Sequence, residues 1–398
     1  MKRIHVWVTL PDGLRLSAGD MACEGPDARG RIASEFKYHR PYLDHPKAFP
    51  LDPVSLPLDT KPFACDRTAG VHGVFEDSLP DDWGRNLLIR KAGLERGEWT
   101  LPNLLSALGS GGLGALSYTR ESAPEPFPAD ATMFSVKDLL HIALRYDAGE
   151  PITADEMAML FQAASSPGGA RPKALVVDEA GVQWIVKFPT RRDRLNMVAV
   201  EAATMALARQ AGLRVSETKM MPCARRKVLL IRRFDVTGTG RRHMVSMQTL
   251  LRAEGVYRFG YGDLFEIIRK YSFQPEIDST NLFVQMTFNA LIGNTDDHLK
   301  NFTMLHDDHG YYLSPAYDLM PDTADRREHV LHFYGNYIAP GPNELKRIGK
   351  KENVPGAAGI VDRVSETLSG WQSVFASFAV PKADIARLSW SIERRLTK

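Results

Sequence analysis

Cysteine is scarce in this chain: among 398 residues only Cys23, Cys65 and Cys223 occur, far apart and without a C-x-x-C pair. That argues against a disulfide framework or a zinc site and points to a reducing, cytoplasmic compartment. Long apolar runs are missing too. No stretch of ~18 apolar residues occurs, so no membrane span and no membrane partner are expected. The N-terminus lacks the apolar core of a signal peptide, because Lys2, Arg3 and His5 interrupt it and Asp12 follows. Charge of one sign is absent as well. Fifty Lys and Arg against 48 Asp and Glu give a net charge of +2, which implies neither nucleic acid nor anionic lipid as a partner. There is no repeat and no low-complexity tract. What remains is ordinary globular composition, 44% hydrophobic and 25% charged, with length for two or three domains.

The first third reads as strands and turns. Ile4 to Leu10 alternates like a strand, Pro11-Asp12-Gly13 signals a hairpin before Leu14-Arg15-Leu16, and Arg31 to Phe36 offers a third strand. Leu51 to Leu58 is proline-rich and extended. The acidic run Glu76 to Asp82 has the composition of a metal site, but it reads better as a turn and cap for a helix Trp83 to Lys91. Gly109-Ser110-Gly111-Gly112-Leu113-Gly114 fits G-x-G-x-x-G by spacing, yet a helix precedes it and a strand follows. A dinucleotide fingerprint needs the reverse order, so the segment is a tight turn. Glu121 to Pro128 is a linker. The resulting domains are 1–122, 129–236 and 237–398.

Chemistry concentrates further on. After a helical region Val136 to Phe161 comes Ser165-Ser166-Pro167-Gly168-Gly169-Ala170-Arg171-Pro172-Lys173, small residues and cations of a kind that can cradle phosphates; a flexible connection is the bland alternative. Two strands follow, Ala174 to Val177 and Val182 to Phe188, and Lys187 sits inside the second. Such a Lys needs an anionic partner unless it lies on a water-facing edge. Glu201, on a helix Leu195 to Gly212, either pairs with Lys187 or faces solvent. A strand Lys227 to Ile231 ends in Arg232-Arg233-Phe234-Asp235, where a hinge to a second lobe falls. Met244 to Lys270 and Asn281 to Ile292 read as helices, and more helices lie near Gly359 to Phe378 and Lys382 to Arg395. Between them lies Gly293-Asn294-Thr295-Asp296-Asp297-His298-Leu299-Lys300-Asn301-Phe302. Asp296 and Asn301 stand at D-x-x-x-x-N, the spacing of a protein-kinase base and its Mg²⁺-binding Asn. A helix-ending loop capped by Asp296 is the alternative. Tyr311 to Asp318 then resembles the short strand that carries a second Mg²⁺-binding Asp; the alternative for Asp318 is a turn before Pro321.

Taken in order, these blocks resemble the HipA-type serine/threonine kinases, the toxins of bacterial type II toxin–antitoxin modules. The resemblance rests on Leu79-Pro80-Asp81, Leu113-Gly114-Ala115-Leu116, Ser166 to Lys173, Trp184 to Pro189, Arg233-Phe234-Asp235, Asn294 to Phe302 and Tyr317-Asp318, and it spans nearly the whole chain. It implies an α+β, bilobal protein-kinase-like or PI3K-like fold, with a small β-rich N-terminal domain and a mainly helical C-terminal lobe. It implies ATP and Mg²⁺. Gly168, Gly169, Ala170, Arg171 and Lys173 would cover the ATP phosphates, Lys187 would hold them, and Arg232, Arg233, Phe234 and Tyr317 would line the nucleotide. Asp296 would be the catalytic base with His298 beside it, and Asn301 and Asp318 would bind Mg²⁺. Ser166 would be the autophosphorylated serine that withdraws the Gly loop, with Ser165 as the alternative acceptor. The implied partner is a HipB-like helix-turn-helix antitoxin, through which alone DNA is met. The implied substrate is a protein, and aminoacyl-tRNA synthetases are among the family's targets.

Three positions depart from the family pattern: Arg232 where an acidic residue is frequent, and Gly168 and Arg171 in the loop, with Arg171 where Gln is frequent. None removes a catalytic group. Two competing functions fit the same residues. One is a small-molecule kinase of the phosphoinositide or aminoglycoside type. The other is a catalytically silent module that bridges an antitoxin and DNA.

Overall fold

The computed structural model describes residues 2–120, 131–132, 136–164, 171–324 and 326–396. It divides into two compact units. The first comprises Met1–Arg191, Arg232–Glu254 and Leu305–His309; the second comprises Arg192–Ile231, Gly255–Met304 and Gly310–Lys398.

In the first unit, strands β1 (Lys2–Thr9), β2 (Arg15–Cys23), β3 (Ser34–Tyr38), β4 (Phe63–Ala64) and β5 (Leu116–Thr119) form a sheet of order β4-β3-β2-β1-β5. The expected hairpin joins β1 to β2. Gly13 takes φ +89°, and the Leu14 N–H donates to Asp12 Oδ1 at 3.0 Å, so the turn uses the residues that favour it. Period-two alternation buries Ile4, Val6, Val8, Met21 and Phe36 in one core face. The third strand lies a few residues later than Arg31 to Phe36 suggested, because its alternation continues to Tyr38.

The first two carboxylates of the acidic run are held by partners, and the last ones stand at the start of a helix. Glu76 pairs with Arg67 at 2.9 Å and Arg85 at 3.1 Å, and Asp77 accepts from the Ser246 N–H and Oγ–H. The helix Asp82–Lys91 follows, and its N-cap Asp81 makes no side-chain cap bond. Gly109 to Gly114 is a turn between the helix Leu101–Leu108 and β5, as its context requires. The linker Glu121 to Pro128 lies outside the described residues. The helical region Val136 to Phe161 consists of two helices, Val136–Asp147 and Ala154–Ala164, with Gly149 at φ +73° and Pro151 between them. Strand β6 (Ala131–Thr132) runs parallel to β7 (Lys173–Val177), which is antiparallel to β8 (Gln183–Lys187).

The second unit is mainly helical. Its helix Met197–Gln210 starts at Asn196, whose side chain accepts the Ala199 N–H at 3.2 Å. A hairpin of β9 (Thr218–Cys223) and β10 (Arg226–Arg232) follows. The central helix Pro275–Ile292 is buried along most of its length, with Leu282, Phe283, Met286 and Phe288 inside beside the buried polar Gln285 and Asn289. Each such apolar side chain contributes roughly 1.5–3 kcal/mol on burial. The expected helix Met244 to Lys270 is not continuous. A strand His243–Ser246 and a four-residue helix Met247–Leu250 belong to the first unit, and the helix Tyr261–Tyr271 belongs to the second. Gly255, at φ +56°, and the N-cap Gly260 separate them. A hairpin of Glu328–Phe333 with Asn336–Ile338, and helices Pro342–Lys351, Ala357–Ser369, Trp371–Ser377 and Lys382–Leu396, complete the unit. No described helix is long and apolar enough to cross a membrane.

Candidate active site

The central helix Pro275–Ile292 ends on Gly293 in the left-handed region, φ +80°, with its N–H donating to Asn289 O at 3.0 Å. The left-handed backbone favours glycine there, and a Cβ at Gly293 would lie 2.9 Å from the guanidinium carbon of Arg395, which would have to shift. The chain then enters the loop Asn294 to Asn301 with five of its eight residues buried. Asn294, Thr295, Asp297, Leu299 and Asn301 are buried, whereas Asp296 is exposed.

Asp297 is the hub beneath that loop. Its carboxylate is fully buried and accepts from Tyr261 Oη–H at 2.6 Å and from the Val330 and Leu331 N–H groups at 3.0 and 3.3 Å. His329 Nδ1 lies 2.9 Å from the same carboxylate. Asn289 Nδ2 donates to Tyr261 Oη at 3.1 Å, and Asn294 Nδ2 donates to Asn289 Oδ1 at 3.1 Å, so the network returns to the helix that launches the loop. Burial and the neighbouring Asp297 charge raise the Tyr261 phenol well above its ordinary value, which keeps it a donor. Each member rests on another, and that rigidity leaves Asp296 as the group the loop presents to water.

The five-residue spacing has a structural meaning. A 3₁₀ turn, Leu299–Asn301, folds the chain back so that Asn301 Nδ2 donates to the Asp296 carbonyl at 2.9 Å. That bond orients the amide and leaves Oδ1 as its remaining acceptor. Tyr257 closes the loop's flank by accepting the Leu299 N–H at 3.2 Å. Burial first, then the Asp297 and Asp296 charges, raise its phenol. Tyr317 bonds Thr303 Oγ1 at 2.6 Å and donates to the Lys300 carbonyl at 2.7 Å. Its hydroxyl is thereby committed to the loop, and it fixes the segment carrying Asp318 beside the segment carrying Asn301. Asp318 itself takes φ +56°, a conformation that costs a non-glycine residue roughly 1–2 kcal/mol. Asn301 and Asp318 offer hard oxygen donors, the ligand type that suits Mg²⁺.

The phosphate-handling candidates lie in the first unit. Ser165, Ser166, Gly168, Gly169 and Ala170 fall outside the described residues. Lys173 and Lys187 face each other in register across β7 and β8, and Lys173 is buried. Like charges directly opposed on a sheet repel, so the pair concentrates positive charge at one place on the strands. Arg232 is exposed and Phe234 half-buried. Arg233 is different: its guanidinium is fully buried, bonded to Asp235 at 3.0 and 2.6 Å and to Gln183 Oε1 at 3.0 Å. Burial pushes the Asp235 carboxyl up, but Arg233, Arg241 and the Gly114 N–H outweigh it and hold the group at about 2. Glu201 is buried, which removes the solvent-facing alternative for it.

Sequence reasoning assigned no role to Asp297, His329, Tyr257, Tyr261 or Asn289. One signal was readable. His329 alternates in phase with Leu331 and Phe333, placing a histidine on the buried face of its strand.

Comparisons with known proteins place the chain in a family and a fold. The family described as HipA-like C-terminal domain matches residues 165–371, and the HipA N-terminal domain matches residues 25–119. The chain is 27% identical over 357 residues to the putative kinase Y4mE of Sinorhizobium fredii, covering 82% of this chain and 77% of that protein. It is 26% identical over 345 residues to the serine/threonine-protein kinase toxin HipA of Shewanella oneidensis, covering 77% and 74%. Among solved structures, a chain of the Shewanella oneidensis HipA, HipB and operator DNA complex superposes with a TM-score of 0.70 at 17% identity, covering 99% of this chain and 96% of that one. The α+β, kinase-like fold is therefore shared, and with its C-terminal family match spanning more than half its length, this chain belongs to the HipA-like family.

Proposed function

We propose that the chain is an ATP- and Mg²⁺-dependent serine/threonine protein kinase acting as a HipA-like toxin. The observation that carries this reading is the loop Asn294 to Asn301: a network of buried groups presents one exposed carboxylate, Asp296, with Asn301 bonded back to its carbonyl. Asp296 orients the substrate hydroxyl and takes its proton, and His298 stands beside it on the same loop. Asn301 and Asp318 would hold Mg²⁺, which when bound supplies positive charge to the phosphate oxygens. Lys173 and Lys187 add fixed positive charge for the phosphates. Arg232, Phe234 and the backbone around Arg233 line the adenine side.

Ser166 is the proposed autophosphorylation site. A phosphoserine near −2 charge beside the Gly loop would disfavour a bound triphosphate, so modification switches the enzyme off. The partner we propose is a HipB-like antitoxin with a helix-turn-helix, in line with the company kept by the Shewanella HipA. The substrate is a protein, with aminoacyl-tRNA synthetases the first candidates to test, and the compartment is the cytoplasm.

The test is incubation of the purified chain with Mg²⁺ and γ-labelled ATP, alone and with lysate protein, followed by mass spectrometry. Phosphate on Ser166 and on a protein acceptor, absent in Asp296→Asn, supports the reading. Transfer confined to small alcohols would favour a small-molecule kinase. No transfer by the wild-type chain, together with an unchanged growth phenotype of Asp296→Asn, would favour a silent module.

A further inference from the structure

The outer face of the first unit's sheet carries a cluster that phosphoryl transfer does not use. His5 on β1 and Asp20 on β2 are directly opposed in register, and Lys37 on β3 opposes Asp20 from the other side. His39 follows two residues later on the same face. His5 Nδ1 lies 2.6 Å and His39 Nε2 3.2 Å from Asp20 Oδ1, and one ligand atom from each residue falls within 4.8 Å of the others. The contacts are short, yet neither nitrogen is aligned as a hydrogen-bond donor: Asp20 Oδ1 is occluded from water and has no hydrogen-bond partner. An ordinary His–carboxylate pair would satisfy that oxygen. Three heteroatoms converge without an aligned proton between them, and a central cation can join them once the His5–Asp20 contact spreads toward the roughly 3.3 Å between two ligands of a tetrahedral ion.

The ring of His39 is fixed for this purpose. Ser17 Oγ lies 2.8 Å from His39 Nδ1, which sets the ring's orientation and leaves Nε2 toward Asp20. The site opens to a hollow of about 500 Å³ lined in part by Arg3, Lys37 and Arg40. Arg3 Nε also lies 3.9 Å from Asp20 Oδ2. Glu35 lines the same hollow, so the rim carries both signs with cations in excess, and it favours an ion that carries an anionic further ligand.

We infer that His5, Asp20 and His39 form a transition-metal site of the Zn²⁺ class, with an open position facing the Arg3, Lys37 and Arg40 hollow. Two imidazoles and one carboxylate suit Zn²⁺ or Co²⁺ and offer too few oxygens for Ca²⁺ or Mg²⁺. Bound there, the ion ties β1, β2 and the end of β3 together.

The test uses the full chain stripped with chelator and titrated with Zn²⁺ alone by calorimetry, with Co²⁺ absorption as a second readout. One saturable equivalent is expected, with a tetrahedral-type Co²⁺ spectrum and a raised unfolding midpoint. His5→Gln, Asp20→Asn and His39→Gln should each weaken it at least about tenfold, and Ser17→Ala roughly tenfold, since outer partners of ligands matter on that scale. Absence of saturable uptake by the wild-type chain overturns the site. So does uptake that His5→Gln and His39→Gln, both still folded by circular dichroism, leave unchanged. Neither result bears on phosphoryl transfer, which is assayed separately.

Discussion

Asp296 and Asp297 are neighbours with opposite surroundings, and substituting each in turn separates chemistry from architecture. Asp297→Ala deletes the acceptor for Tyr261 Oη–H and for the Val330 and Leu331 N–H groups, and removes the carboxylate beside His329. A buried donor left without a partner costs about 1–3 kcal/mol. Water entering the space left behind recovers part of that, so the net loss is about 3–5 kcal/mol, the range seen when one partner of a buried polar network is removed. Asp297→Asn keeps one carbonyl oxygen for the two N–H groups and turns an amide toward Tyr261 and His329. Both of those can reverse roles, by hydroxyl rotation and by tautomer, and the loss falls to about 1–2 kcal/mol. Asp296→Asn, at an exposed carboxylate, should stay within about 0.5 kcal/mol of the parent. Urea unfolding monitored by tryptophan fluorescence and by circular dichroism reads all three. In parallel, Asp296→Asn should lower phosphoryl transfer about 10²- to 10⁴-fold. An Asp297→Ala protein as stable as the parent would refute the hub, and an Asp296→Asn protein with full transfer would refute the base.

Other outcomes follow from the same geometry. Gly293→Ala meets both a left-handed backbone and the Arg395 guanidinium, and should cost at least about 1–2 kcal/mol, read by thermal unfolding. Asn301→Ala loses an oxygen donor and the bond to the Asp296 carbonyl, so transfer should fall and need more Mg²⁺ for half-maximal rate; an unchanged Mg²⁺ titration would count against the assignment. Asp235, with its folded-state carboxyl depressed to about 2, contributes stability above its unfolded value near 4. That contribution, about 2 kcal/mol, fades as pH falls from about 4 toward 2, and Arg233→Ala should flatten the acid limb of the stability curve.

Local chemistry made much of this molecule readable. The hairpin at Pro11-Asp12-Gly13 and the strands around Lys187 follow from alternation and turn residues, which act over a few positions. The glycine turn at Gly109 to Gly114 was readable because a helix precedes it and a strand follows. The loop Asn294 to Asn301 stood out because its polar groups have no local reason to cluster. What local reasoning cannot supply is partnership at long range. The D-x-x-x-x-N spacing singles out Asp296, but nothing local shows that its neighbour Asp297 is a buried hub; that comes from Tyr261 and His329, each more than thirty positions away. Arg233 reads as a group at the nucleotide's edge until Asp235 and Gln183 are seen to enclose its guanidinium. The segment Met244 to Lys270 has helix-compatible composition, but its halves pack in different units, and tertiary contacts override propensity there.

Arg395 places the last helix in direct touch with the start of the reactive loop. Its guanidinium fills the space a side chain at position 293 would occupy, and it donates to the Arg326 and Ser391 carbonyls. Pulling that helix away would therefore open a void behind the glycine hinge. A tag or partner that grips the last helix would in this way loosen the start of the Asn294 to Asn301 loop without touching it.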